Sequence, residues 1–310
     1  MSKQRVVVTG GAGFIGSHLV EQLVELGNEV VVIDTLLRGN KIPQDVFRKV
    51  EFHKVDVCDH DAVRDITKGA DIIYHFAAIL GVDIVADNPI ETMETEVNGM
   101  QAVAAAAIEN QINRIVYAST SGVYGHLALE KSVDEEILVD PRTSYAMAKR
   151  YNEIYLASLY EEKGIHSIAL RFFNVYGLRQ DNRMVIPRFF EQAMSDQPIT
   201  VYGSGEQTRD FTYVHDAVRA SIALGEHVKG FEIFNVANEK EATIGHLAEK
   251  IKQMVNSNSE IKYIDAPKKR YDYEVGRRFG SSAKLEKHIN YKPSTQLDDG
   301  LKVIYDDLLN

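Results

Sequence analysis

Tyr145 and Lys149 stand four residues apart in SYAMAK, and on a helix that spacing projects both side chains from one face. A tyrosine with its ordinary pKa near 10 is a poor base at neutral pH, but a neighbouring ammonium stabilises the phenolate and makes it a proton acceptor. A second group of candidates lies upstream in YASTSGVYG, residues 117–125, where a short strand runs into Ser119, Thr120, Ser121 and Gly122. At the C-terminal edge of a sheet such small, hydroxylated residues leave room for a ligand and offer it hydrogen bonds. A third group is the glycine turn TGGAGFIGSHL, with Gly10, Gly13 and Gly16 spaced three apart. Between a strand and a helix these glycines make a tight turn, let the backbone approach a pyrophosphate and bring helix against sheet, the phosphate meeting the helix N-terminus.

Asp34 follows Gly16 by eighteen residues and ends the next β-branched run, where a carboxylate accepts hydrogen bonds from both ribose hydroxyls of an adenosine. It favours NAD over NADP, because a 2′-phosphate would face the carboxylate; Arg38, in the same cofactor-facing stretch, weighs the other way. Asp56 closes VEFHKVD, and at the C-terminal end of a third strand it would reach the adenine amine. Phe14 and Ile15 between the glycines, Val57 beside Asp56, and Ala77 complete the expected cofactor contacts. His75, in YHFAA, reads as a structural strand-end residue rather than a ligand or base.

These groups need a sheet to carry them. Short β-branched runs recur at 5–9, 29–34, 52–56, 71–76, 114–119 and 167–172, and they look like strands buried on both faces, as parallel strands do. Helix-length segments alternate with them at 14–27, 61–67, 89–110 and 145–163, the third containing AVAAAA. Strand alternating with helix predicts a doubly wound, parallel α/β sheet of the Rossmann type. Beyond residue 171 the strands shorten, with helices expected near 187–195, 216–225 and 243–256. Residues 1–175 therefore read as a dinucleotide-binding domain and 176–310 as mainly a smaller substrate-binding lobe.

A chain of 310 residues can bury one large core with an appended lobe, and 45% hydrophobic with 26% charged residues is ordinary for a globular protein. The net charge of −10, with no basic run longer than KKR, argues against a nucleic-acid partner. Cys58 is the only cysteine, so an intrachain disulfide and a zinc site built on cysteine pairs are excluded, and no metal is expected. The N-terminal apolar run is three valines, too short for a signal core or a membrane span, which points to the cytoplasm and no membrane partner.

TGGAGFIGS, YHFAA, ASTSGVYG, SYAMAK, RFFNVYG and VYGSGEQTRDFTYV, in this order, resemble the extended short-chain dehydrogenase/reductase family, and within it the nucleotide-sugar epimerases, dehydratases and decarboxylases. The resemblance spans nearly the whole chain. It implies a catalytic set of Thr120, Tyr145 and Lys149, with Thr120 sharing the substrate hydroxyl's proton with Tyr145, Lys149 holding the nicotinamide ribose, and Ser121 lining the sugar. In the lobe it implies Asn174 and Arg209 at the diphosphate of a nucleoside-diphosphate sugar, and Val185 and Tyr202 near the base. Arg277 and Glu274, in YDYEVGRRFGSSAKL, are expected at diphosphate and ribose respectively, and Arg278 beside the sugar. A homodimer pairing the helices at 89–110 and 145–163 is implied as well.

The shared first step of these enzymes is removal of the C4 hydroxyl proton with hydride transfer to NAD, giving a 4-keto sugar. The dehydratases carry an Asp-Glu pair after the threonine, where this chain has Ser121 and Gly122; the uronic acid decarboxylases carry a Glu where it has Gly122. With neither group present, rotation of the keto sugar and return of hydride to its other face is the simplest outcome, which is 4-epimerisation of a UDP-glucose or UDP-N-acetylglucosamine type substrate. Arg278 would suit a carboxylate and keeps a uronic acid decarboxylase or uronate epimerase in view. A nucleotide-sensing scaffold would have no use for the intact Thr120, Tyr145 and Lys149.

Overall fold

A computed structural model describes residues 3–78, 87–125, 132–265 and 276–309. Seven strands form the main sheet: β1 (Arg5–Thr9), β2 (Glu29–Ile33), β3 (Glu51–His53), β4 (Ile72–His75), β5 (Arg114–Thr120), β6 (His166–Phe172) and β9 (Phe231–Val236). Their spatial order is β3-β2-β1-β4-β5-β6-β9, every neighbouring pair parallel. The order reverses between β1 and β4, the point at which sheets of this kind take their ligands, beyond the C-terminal strand ends.

Strand residues alternate between two cores, as a pleat requires. Val6 and Val8 of β1 join one cluster with Leu19 and Val20 of α1 (Phe14–Glu25) and Val214 and Ala217 of α7 (Val214–His227). Val7 faces the other way, into a cluster with Met100, Val103 and Ala107 of α4 (Pro89–Glu109) and Leu156 and Leu159 of α5 (Ser144–Lys163). Ala102, Ala104, Ala106 and Ala107 of AVAAAA are buried and let α4 lie close against its neighbours. Thr143 caps α5, its Oγ1 accepting from the Ala146 amide at 3.1 Å, and Gly164 ends the helix in the left-handed region at φ 73°. The remaining helices of this half are the short α2 (Gln44–Phe47) and α3 (His60–Ile66).

The smaller lobe holds a three-stranded sheet, β10-β8-β12, of β8 (Thr208–Asp210), β10 (Glu241–Thr243) and β12 (Arg277–Arg278), and a parallel pair of β7 (Ile199–Tyr202) and β11 (Ile261–Ile264). These pack with α6 (Val185–Met194), α8 (Ile244–Val255) and α10 (Leu297–Leu308) around a core that includes Phe189, Phe190, Leu247, Ile251 and Leu301. A clean division at residue 175 does not describe this arrangement. β9 and α7 return to the main sheet, and Leu285 of α9 (Ala283–Ile289) packs there too, so the lobe is assembled from discontinuous stretches. Among the described residues no helix is long and apolar enough to cross a membrane.

Candidate active site

The glycine turn fits a dinucleotide's pyrophosphate. Gly10 leaves β1 at φ 69°, donates its amide to the Ile33 carbonyl at 2.8 Å, and lies so close to the next strand's end that a Cβ would meet the Ala77 nitrogen at 2.6 Å. A Cβ on Gly16 would sit 2.1 Å from the Gly10 carbonyl oxygen, so α1 presses directly on the turn. Gly13 precedes α1 without a capping side chain, and the first turn holds no acidic residue, which leaves the positive helix end able to receive phosphate.

Asp34 sits beside this turn, its Oδ2 accepting from the Ala12 amide at 3.0 Å and its Oδ1 from Leu36 at 2.8 Å. Burial raises its pKa, and the two amides oppose that rise by favouring the carboxylate. Phe14 and Ile15 are half-buried against the adjoining core, and Val57 is buried beneath Gly99 of α4. The Ala77 amide donates to Thr9 Oγ1 at 3.3 Å. Arg38 is exposed on the loop after β2. The third strand is shorter than expected: β3 stops at His53, because Asp56 instead folds a turn, accepting the Cys58 amide at 2.9 Å, and it lies exposed beyond the strand end.

Thr120 is the last residue of β5 and caps the short 3-10 turn Ser121–Tyr124, its Oγ1 accepting from the Gly122 amide at 3.1 Å. That turn rests on the start of α5, since a Cβ on Gly122 would lie 3.3 Å from Thr120 Oγ1 and 3.6 Å from the Ala146 Cβ. Ser121 is buried there. One turn further along α5 from Tyr145, the fully buried Lys149 ammonium stands 5.3 Å from the centre of the Tyr145 ring and 4.7 Å from that of Tyr117. The turn that carries Thr120 and Ser121 thus meets, at Ala146, the start of the helix that carries Tyr145 and Lys149.

Sequence reasoning missed what surrounds it. Glu96 of α4 brings Oε2 to 2.9 Å of Lys149 Nζ, a contact of opposite charges rather than a well-aligned hydrogen bond. Its charge and, more strongly, burial push the Tyr145 phenol above the usual tyrosine range. Asn152 donates to the Glu96 carbonyl at 3.0 Å and to the Tyr117 hydroxyl at 2.8 Å. Beside this, Arg171 forks onto Glu153 through two hydrogen bonds of 2.9 and 2.8 Å and reaches the Tyr124 hydroxyl at 2.9 Å, while Ser119 donates to Glu153 at 2.6 Å. The available signal was Glu96 itself, a carboxylate on the stripe Thr92, Glu96, Gly99, Met100 and Val103 that α4 turns inward.

In the lobe, Arg209 and Arg278 are register partners on the parallel strands β8 and β12, two guanidinium-bearing residues side by side. The Arg209 Nη1 donates to the Thr208 carbonyl at 2.7 Å. Arg277 forks instead onto Glu241 at 2.8 and 2.7 Å and stacks over Phe279, so its guanidinium is committed to a protein carboxylate. Arg183 pairs with Asp181 on the surface. Asn174 is exposed at φ 28°, Val185 opens α6, and Tyr202 ends β7 beneath the Arg188 guanidinium at 4.9 Å. Glu274 lies outside the described residues. Among the described residues no cluster of His, Cys, Asp or Glu could hold a metal ion.

The sequence pattern of the NAD dependent epimerase/dehydratase family matches residues 6–237, from β1 to just beyond β9. This chain belongs to that family. A UDP-N-acetyl-alpha-D-glucosaminuronate decarboxylase of Bacillus cytotoxicus is 35% identical, the match covering 97% of this chain and 96% of that protein. Among solved structures, the UDP-glucose 4-epimerase of Thermotoga maritima with UDP-glucose superposes at a TM-score of 0.92 with 28% identity, over 99% of this chain and 100% of the other. The UDP-glucose 4-epimerase of Thermus thermophilus, solved in complex with NAD, follows at 0.90 and 28%, over 99% of both chains. The epimerase/dehydratase family thus accounts for the parallel sheet and identifies the cofactor as NAD, with nucleotide sugars as the substrate class of its members.

Proposed function

We propose that the chain is an NAD-dependent nucleoside-diphosphate-sugar 4-epimerase that works through a transient 4-keto sugar. In this reading the Gly10, Gly13 and Gly16 turn with Phe14 and Ile15 receives the pyrophosphate of NAD, Asp34 its adenosine ribose, and Val57 and Ala77 the adenine side and the nicotinamide side of the crevice. Bound NAD supplies a reversible hydride acceptor. Tyr145 takes the C4 hydroxyl proton, Thr120 shares that hydrogen bond, and Lys149 holds the phenol's electrostatic surroundings and the nicotinamide ribose. Arg209 and Asn174 meet the diphosphate, with Arg209 suited to it by its planar fork.

The observation that carries this reading is the turn after β5. It sets Thr120 against the start of α5, and the residue that follows Ser121 there is Gly122, at the position where the resemblance to the dehydratases and decarboxylases puts an acid or base. The 4-keto sugar then has no neighbouring group at that position to eliminate water or assist loss of carbon dioxide, and hydride return remains. The similarity to the Thermotoga maritima epimerase supports it.

A second reading, a UDP-uronic acid decarboxylase or uronate 4-epimerase, draws on Arg278 beside Arg209 and on the similarity to the Bacillus cytotoxicus decarboxylase. Proton NMR of the protein with UDP-glucose, UDP-N-acetylglucosamine and the matching uronic acids separates the two. Inversion at C4 of UDP-glucose or UDP-N-acetylglucosamine is the expected result; inversion of a uronic acid alone, or a pentose lacking C6, would replace it with the second reading.

We also infer a cytoplasmic homodimer. Ile90 and Ile108 of α4 and Met147, Tyr151 and Ile154 of α5 leave apolar side chains exposed on these two helices, which a second copy would cover. A monomer in sedimentation at micromolar concentration would count against it.

A further inference from the structure

Lys149 does not face Tyr145 as a solitary cation. Its ammonium and the Glu96 carboxylate are both shut off from water, with Nζ and Oε2 2.9 Å apart. We propose that Glu96 is a positioning residue for proton transfer: it holds the Lys149 ammonium between the Tyr117 and Tyr145 rings and, through its own charge, sets the pH at which the Tyr145 phenol ionises. The proposal rests on the reading of Tyr145 as the proton acceptor.

The surroundings give Glu96 this leverage. Asn152 ties the Glu96 backbone to α5 and to the Tyr117 hydroxyl, so the carboxylate is held at this level of the helix pair. An ammonium and a carboxylate in contact present a third group with a dipole rather than a net charge, and in a water-excluded interior that difference is not screened away. The other described titratable groups facing the pair contribute little charge of their own. His75 of β4 is bonded through Nδ1 to Thr9 Oγ1 at 2.8 Å, and burial holds its pKa down to about 3, so its ring is neutral at neutral pH. Burial raises Tyr117 of β5 well above the tyrosine range. Cys58, on the loop after β3, is pushed up to about 12 by burial and by Asp56, and so remains a thiol. Asp56 lies exposed beyond Cys58. Glu153 of α5 is neutralised by Arg171 and Arg150. Glu96 and Lys149 therefore dominate the local field at the Tyr145 ring.

The Tyr145 titration is read directly as phenolate absorbance, by subtracting the Tyr145→Phe protein from its parent. Replacing Glu96 by Gln leaves the ammonium unopposed, and Tyr145 is expected to titrate on the order of one unit lower or more. The rising limb of kcat/KM against pH, with the UDP-sugar that turns over, moves down with it, and Glu96→Asp, which keeps the charge, restores both. Should Glu96→Gln fail to fold, a second pair of variants replaces it: Lys149→Met, which leaves the Glu96 charge alone beside the phenol, raises the Tyr145 titration, and the double variant Glu96→Gln/Lys149→Met, neutral at both positions, brings it back down. An unchanged Tyr145 titration across these variants, with only thermal stability falling, would overturn the proposal. Full turnover by Tyr145→Phe would instead overturn the reading beneath it, whatever the titration shows.

Discussion

The protein handles charge in two different ways at its two ends. Where α4 and α5 meet the main sheet, Glu96 of α4 with Lys149 of α5, and Glu153 of α5 with Arg171 of β6, are sealed from water in fixed geometry. On the lobe's small sheet, Arg277 and Glu241 form an equally regular fork but remain partly exposed, as does Arg209 beside Arg278. A buried pair costs desolvation and is retained where geometry must not vary, whereas an exposed cation keeps its hydration and can turn towards an arriving anion. In the proposed reading the first region holds the proton-transfer group and the second accommodates the ligand. Substitutions should separate accordingly, into losses of turnover or folding at one end and losses of affinity at the other.

The largest expected effect lies at the chemistry. Tyr145→Phe removes the proposed proton acceptor and is expected to lower kcat by about 10²–10⁴-fold while the protein still folds and retains NAD. NMR turnover and the absorbance of the copurified cofactor measure the two halves of that statement; undiminished turnover would erase the distinction between the regions.

Next comes the contrast in stability. Arg171→Met takes the buried fork away from the Glu153 carboxylate, leaving it only Arg150 and Ser119, and should cost up to about 3–5 kcal/mol in urea unfolding. Arg277→Met breaks a pair of similar geometry in partial contact with water and should cost about 1 kcal/mol or less. Equal losses would mean that burial does not distinguish these forks.

The same contrast explains what the sequence disclosed. The glycine turn, Asp34 and the Tyr145 and Lys149 spacing are local patterns, each written within one strand, turn or helix, and they appear in the structure where the periodicity placed them. Glu96 and Arg171 could not be read that way, because their partners, Lys149 and Glu153, come from other elements that meet only in the folded chain. The same limit applies to β9, which lies among the shorter strands beyond residue 171 that read as lobe but is drawn back to the main sheet by pairing with β6. Asp56 shows the reverse case: the alternation of VEFHKVD continues past His53, but a side-chain turn onto the Cys58 amide ends the strand early.

A smaller effect is expected at the seam between the regions. The His18 Nε2 hydrogen donates to the Leu178 carbonyl at 2.9 Å, which leaves Nδ1 to accept from His215 Nε2 at 3.3 Å. This arrangement requires His18 to be neutral, and burial holds its pKa down to about 4, below the unfolded value of 6.5. As pH falls through that window the unfolded chain binds a proton that the folded chain refuses. The stability from this site is therefore present above about pH 6.5 and lost towards about pH 4, amounting to roughly 3 kcal/mol at most. His18→Gln should flatten that part of the stability profile between pH 7 and 4.5, and an unchanged slope would place the acid sensitivity elsewhere.

The smallest effect concerns the substrate, and it tests the lobe by dividing its two neighbouring arginines. If Arg209 meets the diphosphate, every UDP-sugar loses the same contact in Arg209→Ala, and kcat/KM should fall about tenfold for neutral and acidic sugars alike. Arg278 occupies the next strand at the same register. If it faces the sugar, Arg278→Ala should lower kcat/KM about tenfold for a UDP-uronic acid, whose carboxylate it would pair, and leave UDP-glucose almost unchanged. The loss should fall on KM rather than kcat, because the contact is made equally before and during proton transfer. Equal losses for both sugars would assign Arg278 to the diphosphate with Arg209 and remove the strongest physical argument for a uronate substrate. A selective loss would instead place the specificity of this enzyme on a two-residue strand at the edge of its smaller sheet.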